Sequence, residues 1–137
     1  MMVDLIKLDT EKNNQHTIDI DAVSTEEILR KINNEDKTVA SIVEESIGDI
    51  SILVDQIVDR MKVGGRLFYI GAGTSGRLGV LDAAECPPTY GVDKGLVVGI
   101  MAGGDNAMFT AQEGAEDSLE LAAKDLAAYN LCEKDSV

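Results

Sequence analysis

The feature that most constrains the fold is a glycine-rich turn between an apolar strand pattern and an apolar helix pattern. Leu67–Ile70 is a run typical of a buried strand, and Gly71, Gly73 and Gly76 follow it directly. Glycine lets a backbone turn sharply and approach a ligand closely. A helix that begins near Ser75 would direct unpaired N–H groups and the positive end of its dipole into the turn. The sequence therefore predicts a site for a phosphate or another anion.

The same spacing, Gly71-x-Gly73-x-x-Gly76, also fits the dinucleotide-binding fingerprint, which is a weak signal by itself. A dinucleotide-binding domain also needs an acidic residue at the end of its second strand, about 20 residues past the glycines. Asp105 is well placed relative to the second apolar run but comes late in the sequence. Dinucleotide binding therefore stays open as an alternative.

Composition and charge exclude several classes of protein. The 137 residues suffice for one domain, and a hydrophobic content of 45% suffices for a core. The net charge of −13 argues against a nucleic-acid partner, because such partners are bound by basic side chains. Cys86 and Cys132 are too few for a disulfide framework, and no signal-peptide pattern or membrane-length apolar run is present. We expect a soluble cytoplasmic protein without a membrane partner.

The first part of the chain is predicted to be an arm followed by helices. Residues 1–20 are polar and without periodicity, so we expect an N-terminal arm in which His16 is a surface residue. Residues 21–64 are predicted to be helical. Ser24 and Glu27 form a capping box for a short first helix that ends near Asn33.

The clearest periodicity belongs to the next helix, where apolar residues recur at steps of three or four from Val39 to Met61. Gly48 is expected to bend or split this helix, and Gly64 and Gly65 are expected to end it. The apolar stripe would pack against a sheet or serve as a contact between subunits.

Residues 65–137 alternate between strand and helix patterns. A strand is predicted at Arg66–Ile70, and a helix from about Ser75 to Glu85 that the Cys86-Pro87-Pro88 segment stops, because proline lacks an N–H. Leu96–Met101 is a second apolar run, typical of a parallel strand buried on both faces. This order predicts an α/β fold with a parallel sheet flanked by helices.

The last part of the chain is predicted to hold a helix that runs from Glu113 or Glu116 to Ala128. Residues 131–137 have the composition of a loop that leads into a third strand. Parallel strands normally need neighbours on both sides, so we expect the chain to stop in the middle of a domain. An unpaired strand edge would then favour oligomerisation or loose folding.

Several motifs together resemble the N-acetylmuramic acid 6-phosphate etherase family. They are Gly71-Ala-Gly-Thr-Ser-Gly-Arg-Leu-Gly79, Leu81-Asp-Ala-Ala-Glu-Cys-Pro-Pro-Thr-Tyr-Gly-Val92, Glu113-Gly-Ala-Glu-Asp-Ser118 and Asn33-Asn-Glu-Asp-Lys-Thr-Val39. The resemblance extends from about Ile18 onward. It implies the sugar isomerase (SIS) fold, an αβα sandwich that binds phosphosugars at the carboxyl ends of its strands. Because family members are longer, it also implies a domain truncated after the second strand and its helix, without the second serine-rich loop.

The resemblance implies an activity on N-acetylmuramic acid 6-phosphate. In this family the D-lactyl ether is removed by elimination and water then adds, which yields N-acetylglucosamine 6-phosphate and D-lactate. Glu85 is implied as the acid that protonates the departing lactate oxygen, and Glu116 as the base that removes the proton on carbon 2. The family pattern implies no cofactor and no metal, and a homodimer or higher oligomer.

Substrate contacts are implied for Gly73, Thr74, Ser75, Gly76, Arg77 and Glu113. Other roles are open for some of them: Thr74 and Ser75 as helix caps, and Arg77 as an ion-pair partner of Asp82. Cys86 is expected to be structural. A nucleophilic thiol would need a histidine partner, and the one histidine of the sequence, His16, lies in the N-terminal arm. A phosphosugar-binding regulator of the same fold, without catalysis, is the strongest rival to the enzyme.

Overall fold

The computed structural model describes residues 12–112, 114, 115, 118 and 120–137. By its contacts the chain divides into two units, Met1–Ile50 and Ser51–Val137. Within the described ranges, no helix has both the length and the apolar character needed to cross a membrane.

The first unit is built on one long helix, α1, which spans Thr25–Glu45. Its predicted start is confirmed, because Ser24 Oγ accepts the Glu27 N–H at 3.3 Å and the Glu27 carboxylate accepts the Ser24 N–H at 3.0 Å. The predicted end near Asn33 is wrong. Relative to alanine, asparagine in a helix interior costs less than about 1 kcal/mol of helix stability, so the chain stays helical through this position.

Polar contacts fasten the described part of the N-terminal arm to α1. A short 3-10 helix, Gln15–Thr17, places His16 Nδ1 2.8 Å from Glu35 Oε1, and Asn14 donates to the same carboxylate at 2.7 Å. These bonds lower the pKa of Glu35, the bond from Asn14 being the larger cause. The side chain of His16 is 78% exposed, which confirms the prediction of a surface histidine.

A second helix, α2, spans Ile47–Lys62. The predicted split of the helix is confirmed, although it lies at Ser46, two residues before Gly48. The predicted stop is also confirmed, since Gly64 adopts the left-handed conformation with φ +91°.

Two parallel strands, β1 (Leu67–Gly71) and β2 (Val97–Met101), form the sheet, as predicted. Their register places Leu67 opposite Val97 and Gly71 opposite Met101. Ser136 pairs in parallel with Leu67 on the other edge of β1, where the Phe68 N–H donates to the Ser136 carbonyl at 2.8 Å. Residues 131–137 therefore do lead into strand pairing. Three of the buried apolar side chains of the described residues lie on this sheet, Phe68, Ile100 and Met101, and the fourth, Ala107, lies in a 3-10 helix, Asp105–Met108, that follows β2.

The glycine turn leads into α3, which spans Gly73–Tyr90 and packs against both strands. The predicted helix end at Glu85 is wrong, because Pro87 and Pro88 lie inside the last turn. Proline has the φ of a helix, and only two N–H groups are lost, both close to the helix end. Gly91, with φ +67°, ends the helix instead, and its N–H donates to the Pro87 carbonyl at 2.9 Å.

The last helix, α4, spans Leu121–Ala127 and begins later than predicted. Gly114 and Ser118 are not helical, and Ser118 Oγ accepts the Leu121 N–H at 3.1 Å. Glu113 and Glu116, the two predicted starts, lie outside the described residues.

Glycines let α3 approach the sheet closely. A Cβ at Gly99 of β2 would lie 2.5 Å from Val80 Cα and 2.9 Å from Val80 N. A Cβ at Gly79 of α3 would lie 2.8 Å from Tyr69 Cβ of β1. This close approach places the start of α3 beside the carboxyl ends of both strands.

We expect Gly99→Ala to destabilise the protein, because the new methyl group would meet helix backbone that cannot move independently. The cost should be about 1–3 kcal/mol, as for other overpacked sites. Gly48→Ala is the matched control, since a methyl group at position 48 would have no neighbour within 4 Å. In a helix that change should stabilise by about 0.5–1 kcal/mol. Urea denaturation measures both, and equal effects of the two changes would contradict the close approach.

Candidate functional site

The turns that follow β1 and β2 meet at one cavity. Its volume is about 310 Å³, within the range of small-molecule sites. It is lined by Ala72, Gly73, Arg77, Met101, Ala102, Ala107, Ala111, Gln112, Gly114 and Ala115. A ligand is expected at this edge, because open parallel sheets bind ligands outside the carboxyl ends of their strands. The cavity therefore lies between the glycine turn and Gln112, Gly114 and Ala115, the described neighbours of positions 113 and 116.

A smaller cavity of about 170 Å³ adjoins it at the same edge of the sheet. Ala72, Ala102 and Ala115 line both cavities, and Ser118 lines only the smaller one. Small side chains at these shared positions leave the carboxyl ends of the strands open. A ligand in the larger cavity would thus lie beside Ala115, which lines both cavities.

The N-terminus of α3 reaches the larger of these two cavities through Ala72 and Gly73, whereas Ser75 lines a separate cavity beside β1. The N-cap residue is Ala72, and no described side chain caps the helix. The first helical bond is made by the Gly76 N–H to the Ala72 carbonyl at 3.0 Å, so the N–H groups of Gly73, Thr74 and Ser75 precede it. The alternative in which Thr74 or Ser75 caps the helix is wrong. Both side chains are exposed, and Gly73 supplies the left-handed turn with φ +54°.

Gly76 has a packing role in this turn. It is buried, and a Cβ at this position would collide with the Gly71 carbonyl oxygen and lie 2.7 Å from Met101 Sδ. Its own N–H is already used within the helix. Direct contact of Gly76 with a substrate stays a prediction, while its absent side chain lets α3 start this close to β1.

Arg77 bonds to backbone carbonyls beyond β2. Its Nε donates to the Met108 carbonyl at 3.0 Å, and its Nη2 donates to the Ala107 carbonyl at 2.8 Å. The alternative in which Arg77 pairs with Asp82 is therefore wrong. Direct contact of Arg77 with a substrate stays a prediction.

Asp82 instead interacts with groups on the other side of α3. Burial, followed by the hydrogen bond to Asp82, raises the pKa of Tyr69. Burial and the charge of Asp82 also raise the pKa of the Cys86 thiol. A thiol with a raised pKa is a poor nucleophile at neutral pH, which agrees with a structural Cys86.

The family described as "Glucokinase regulatory protein N-terminal SIS domain" matches residues 49–137. The chain belongs to this SIS-domain family. The match includes the whole sheet, α3 and every residue that lines the two cavities.

Curated relatives extend the similarity to nearly the whole chain. The chain is 59% identical over 133 residues to a protein of Caldanaerobacter subterraneus subsp. tengcongensis, which covers 97% of this chain and 44% of the relative. It is 56% identical over 135 residues to a protein of Clostridium beijerinckii, covering 98% and 44%. It is 54% identical over 136 residues to a protein of Lactococcus lactis, covering 99% and 46%. All three are named N-acetylmuramic acid 6-phosphate etherase, and this chain spans less than half of their length.

Glu85 lies away from the cavity of this SIS domain. It is exposed on α3, twelve residues after Gly73. At 1.5 Å per residue, the two positions are about 18 Å apart along the helix axis. One copy of the chain therefore does not bring Glu85 to the turn at Gly73. Glu113 and Glu116 lie outside the described residues, and their neighbours Gln112, Gly114 and Ala115 line the cavity.

The sequence did not predict which residues of the second turn would shape the SIS-domain site. Ala107 and Met108 contribute carbonyl groups, and Gln112 packs against Gly103, where a Cβ would lie 3.0 Å from Gln112 Cβ. Every residue has a backbone carbonyl, so the residue pattern does not indicate which carbonyls accept hydrogen bonds. The pair Gly103-Gly104 does predict a turn at this point of the sequence, and it adopts φ +88° and +75°, but it does not indicate which carbonyls shape the wall.

Proposed function

We propose that the protein is an N-acetylmuramic acid 6-phosphate etherase, which releases D-lactate from its substrate. The observation that carries this proposal is the cavity where the uncapped start of α3 meets Gln112, Gly114 and Ala115, which are neighbours of Glu113 and Glu116. The name shared by relatives at 54–59% identity supports it. We place the activity in cytoplasmic recycling of cell-wall amino sugars.

The phosphate of the substrate binds at the start of α3. The backbone N–H groups of Gly73, Thr74 and Ser75 precede the first helical bond and can donate to its oxygens. The exposed hydroxyl groups of Thr74 and Ser75 add two more donors, because α3 does not use them as N-caps. Such local donors are required in a chain whose net charge of −13 repels anions. Glu113 accepts a hydrogen bond from a substrate hydroxyl.

The reaction requires one base and one acid. Glu116 removes the proton on carbon 2 of the open-chain sugar, where the neighbouring aldehyde stabilises the negative charge. Glu85 protonates the ether oxygen as its bond to carbon 3 breaks, so D-lactate leaves and a double bond forms between carbons 2 and 3. Water then adds to carbon 3, its proton going to carbon 2, which gives N-acetylglucosamine 6-phosphate.

The position of Glu85 on α3 supports a site that two copies of the chain share. A distance of about 18 Å along α3 separates it from Gly73, which is more than the span from the phosphate to carbon 3 of one hexose. We therefore assign the acid of each site to the Glu85 of a partner copy in a homodimer or higher oligomer. Exposed apolar side chains within the first unit offer a surface for such contacts: Val39, Val43, Ile47 and Ile50 are each 43–57% exposed.

Ligand titration tests the proposed site. We expect the protein to bind N-acetylmuramic acid 6-phosphate more tightly than NAD, because the turn offers donors for a phosphate, whereas Asp105, the candidate ribose ligand, lines a different cavity. Thr74→Ala should weaken sugar-phosphate binding by about tenfold, the typical loss for a hydrogen bond to a charged group. Thr38→Ala is the matched control, since Thr38 lies on α1 and donates to the Glu35 carbonyl. Tighter binding of NAD, measured by calorimetry, would contradict the proposal.

A phosphosugar-binding regulator without catalysis is the second candidate. It is favoured by the family description, which names a regulatory protein. Incubation of the full-length protein with N-acetylmuramic acid 6-phosphate separates the two candidates, because only the enzyme releases D-lactate. Binding of the sugar phosphate without lactate release would favour the regulator.

A further inference from the structure

We propose that Arg77 is a positioning residue, which fastens the turn at residues 103–112 to α3 and thereby fixes one wall of the substrate cavity. The effect of this positioning on catalysis rests on the proposed function, whereas the contacts of Arg77 are observed independently of that function. The resemblance suggested that Arg77 contacts the substrate; its observed partners indicate a different role.

The guanidinium of Arg77 bridges two consecutive peptide groups. Its Nε donates to the Met108 carbonyl at 3.0 Å and its Nη2 to the Ala107 carbonyl at 2.8 Å. A planar guanidinium can make two such bonds at once, whereas the ammonium group of lysine cannot reproduce this geometry. Both bonds are partly buried and involve a charged donor, which makes them stronger than ordinary hydrogen bonds.

The two carbonyls end a 3-10 helix, Asp105–Met108, that carries one wall of the cavity. Carbonyls at a helix end lack partners within the helix, and Arg77 supplies partners for these two. Ala107 is only 1% exposed. A shift of this short helix would therefore also move the residues that follow it.

Gln112 connects the fastened helix to the segment beyond it. Its side chain packs over Gly103, where a Cβ would lie 3.0 Å from Gln112 Cβ and 3.2 Å from Ala107 Cβ. Its Nε2 donates to the Thr110 carbonyl at 3.2 Å. Residues 103–112 thus form one packed turn that ends at the residue before Glu113, and Arg77 ties this turn to the helix that starts at the glycines.

Hydrogen exchange of the turn measures the positioning role. The Ala107 N–H donates to the Gly104 carbonyl at 2.9 Å, and the Thr110 N–H donates to the Asn106 carbonyl at 3.0 Å. In Arg77→Lys and in Arg77→Met we expect both amides to exchange at least about tenfold faster, because charged hydrogen bonds are lost. The Leu67 amide, which bonds to the Leu96 carbonyl beside β2, should keep its rate. Arg30→Met, which removes an exposed arginine paired with Glu26, is the matched control and should change none of these rates.

Kinetics and phosphate binding distinguish positioning from direct contact. In the full-length protein we expect kcat to fall by about 10–100-fold in both Arg77 variants, since a displaced wall misaligns the substrate. Affinity for inorganic phosphate should change less than about twofold in either variant, because the donors at the start of α3 remain.

Three results would overturn the proposal. They are unchanged exchange at Ala107 and Thr110, equal acceleration at Leu67, or phosphate binding that Arg77→Met loses and Arg77→Lys retains. The last result would make Arg77 a phosphate ligand. Failure of the wild-type protein to bind phosphate would contradict the proposed function alone, since the exchange rates still decide the role of Arg77.

Discussion

Glu85→Gln and Glu116→Gln are each expected to abolish lactate release from N-acetylmuramic acid 6-phosphate in the full-length protein. Glutamine keeps the size of glutamate and much of its hydrogen bonding, but it cannot give or take the proton. Loss of a positioned acid or base costs about 10²–10⁴-fold in rate, so a D-lactate assay should resolve both losses. Glu44→Gln, at an exposed position of α1, is the matched control and should retain the wild-type rate.

The two variants should fail at different steps. If Glu116 is the base, Glu116→Gln will not exchange the proton on carbon 2 with deuterated water. Glu85→Gln should still exchange this proton, because its removal precedes departure of the ether oxygen and needs no acid there. The opposite exchange pattern would swap the two roles, and near-normal lactate release by both variants would remove the pair from the mechanism.

Mixing the two inactive variants tests whether each site uses a partner's Glu85. In a dimer that joins Glu85→Gln to Glu116→Gln, one site holds both intact glutamates and the other holds neither. Random mixing makes half of the dimers hybrid, so the mixture should recover about a quarter of the wild-type activity. If both glutamates act within one copy, the mixture will stay inactive.

The sequence predicted the order of elements around the site because each has a strong local signal. The apolar runs that became β1 and β2 are continuous, and the glycines between Gly71 and Gly76 separate strand from helix. The capping box at Ser24 is likewise a local pattern, and it forms as predicted.

The predictions failed where a distant contact or a permissive local geometry decided the outcome. Pro87 and Pro88 were predicted to stop α3, but their φ suits a helix, and Gly91 sets the end instead. The partners of Arg77 lie 30 and 31 residues away and are backbone carbonyls, which no residue pattern reports. Residue types in the sequence therefore indicated that a site is present, whereas contacts to the backbone determine the positions of the segments that line it.

An ion pair between the partly exposed Arg66 and the buried Asp135 also depends on residues that are distant in the sequence. Arg66 donates from Nε to Asp135 Oδ1 at 3.1 Å and from Nη2 to Oδ2 at 2.7 Å. The backbone N–H groups of Arg66 and Cys132 donate to the same carboxylate at 2.8 and 3.0 Å. The guanidinium also lies 4.8 Å from the centre of the Phe68 ring. Together these contacts hold residues 132–135 at the start of β1.

Asp135→Asn is expected to destabilise the second unit, because the side chain is only 2% exposed and accepts four hydrogen bonds. An amide offers one acceptor oxygen, and its NH₂ group would face N–H donors. The expected cost is about 2 kcal/mol, below that of a fully buried ion pair that loses one partner, because the Arg66 side chain is 31% exposed. Asp59→Asn, which removes a carboxylate from an exposed pair with Lys62, is the matched control and should have little effect.

Lowering the pH should reduce the difference in the free energy of unfolding between the wild-type protein and Asp135→Asn. The hydrogen bonds from Arg66, as the largest cause, hold the pKa of Asp135 well below its usual range. A carboxylate with a lowered pKa contributes stability that is fully present above its unfolded pKa of about 3.9 and is lost as the pH falls toward its folded pKa. Urea denaturation should therefore show the full difference at pH 7 and a shrinking one below about pH 4. A difference that stays constant across this range would mean that the carboxylate charge does not fasten the segment to β1.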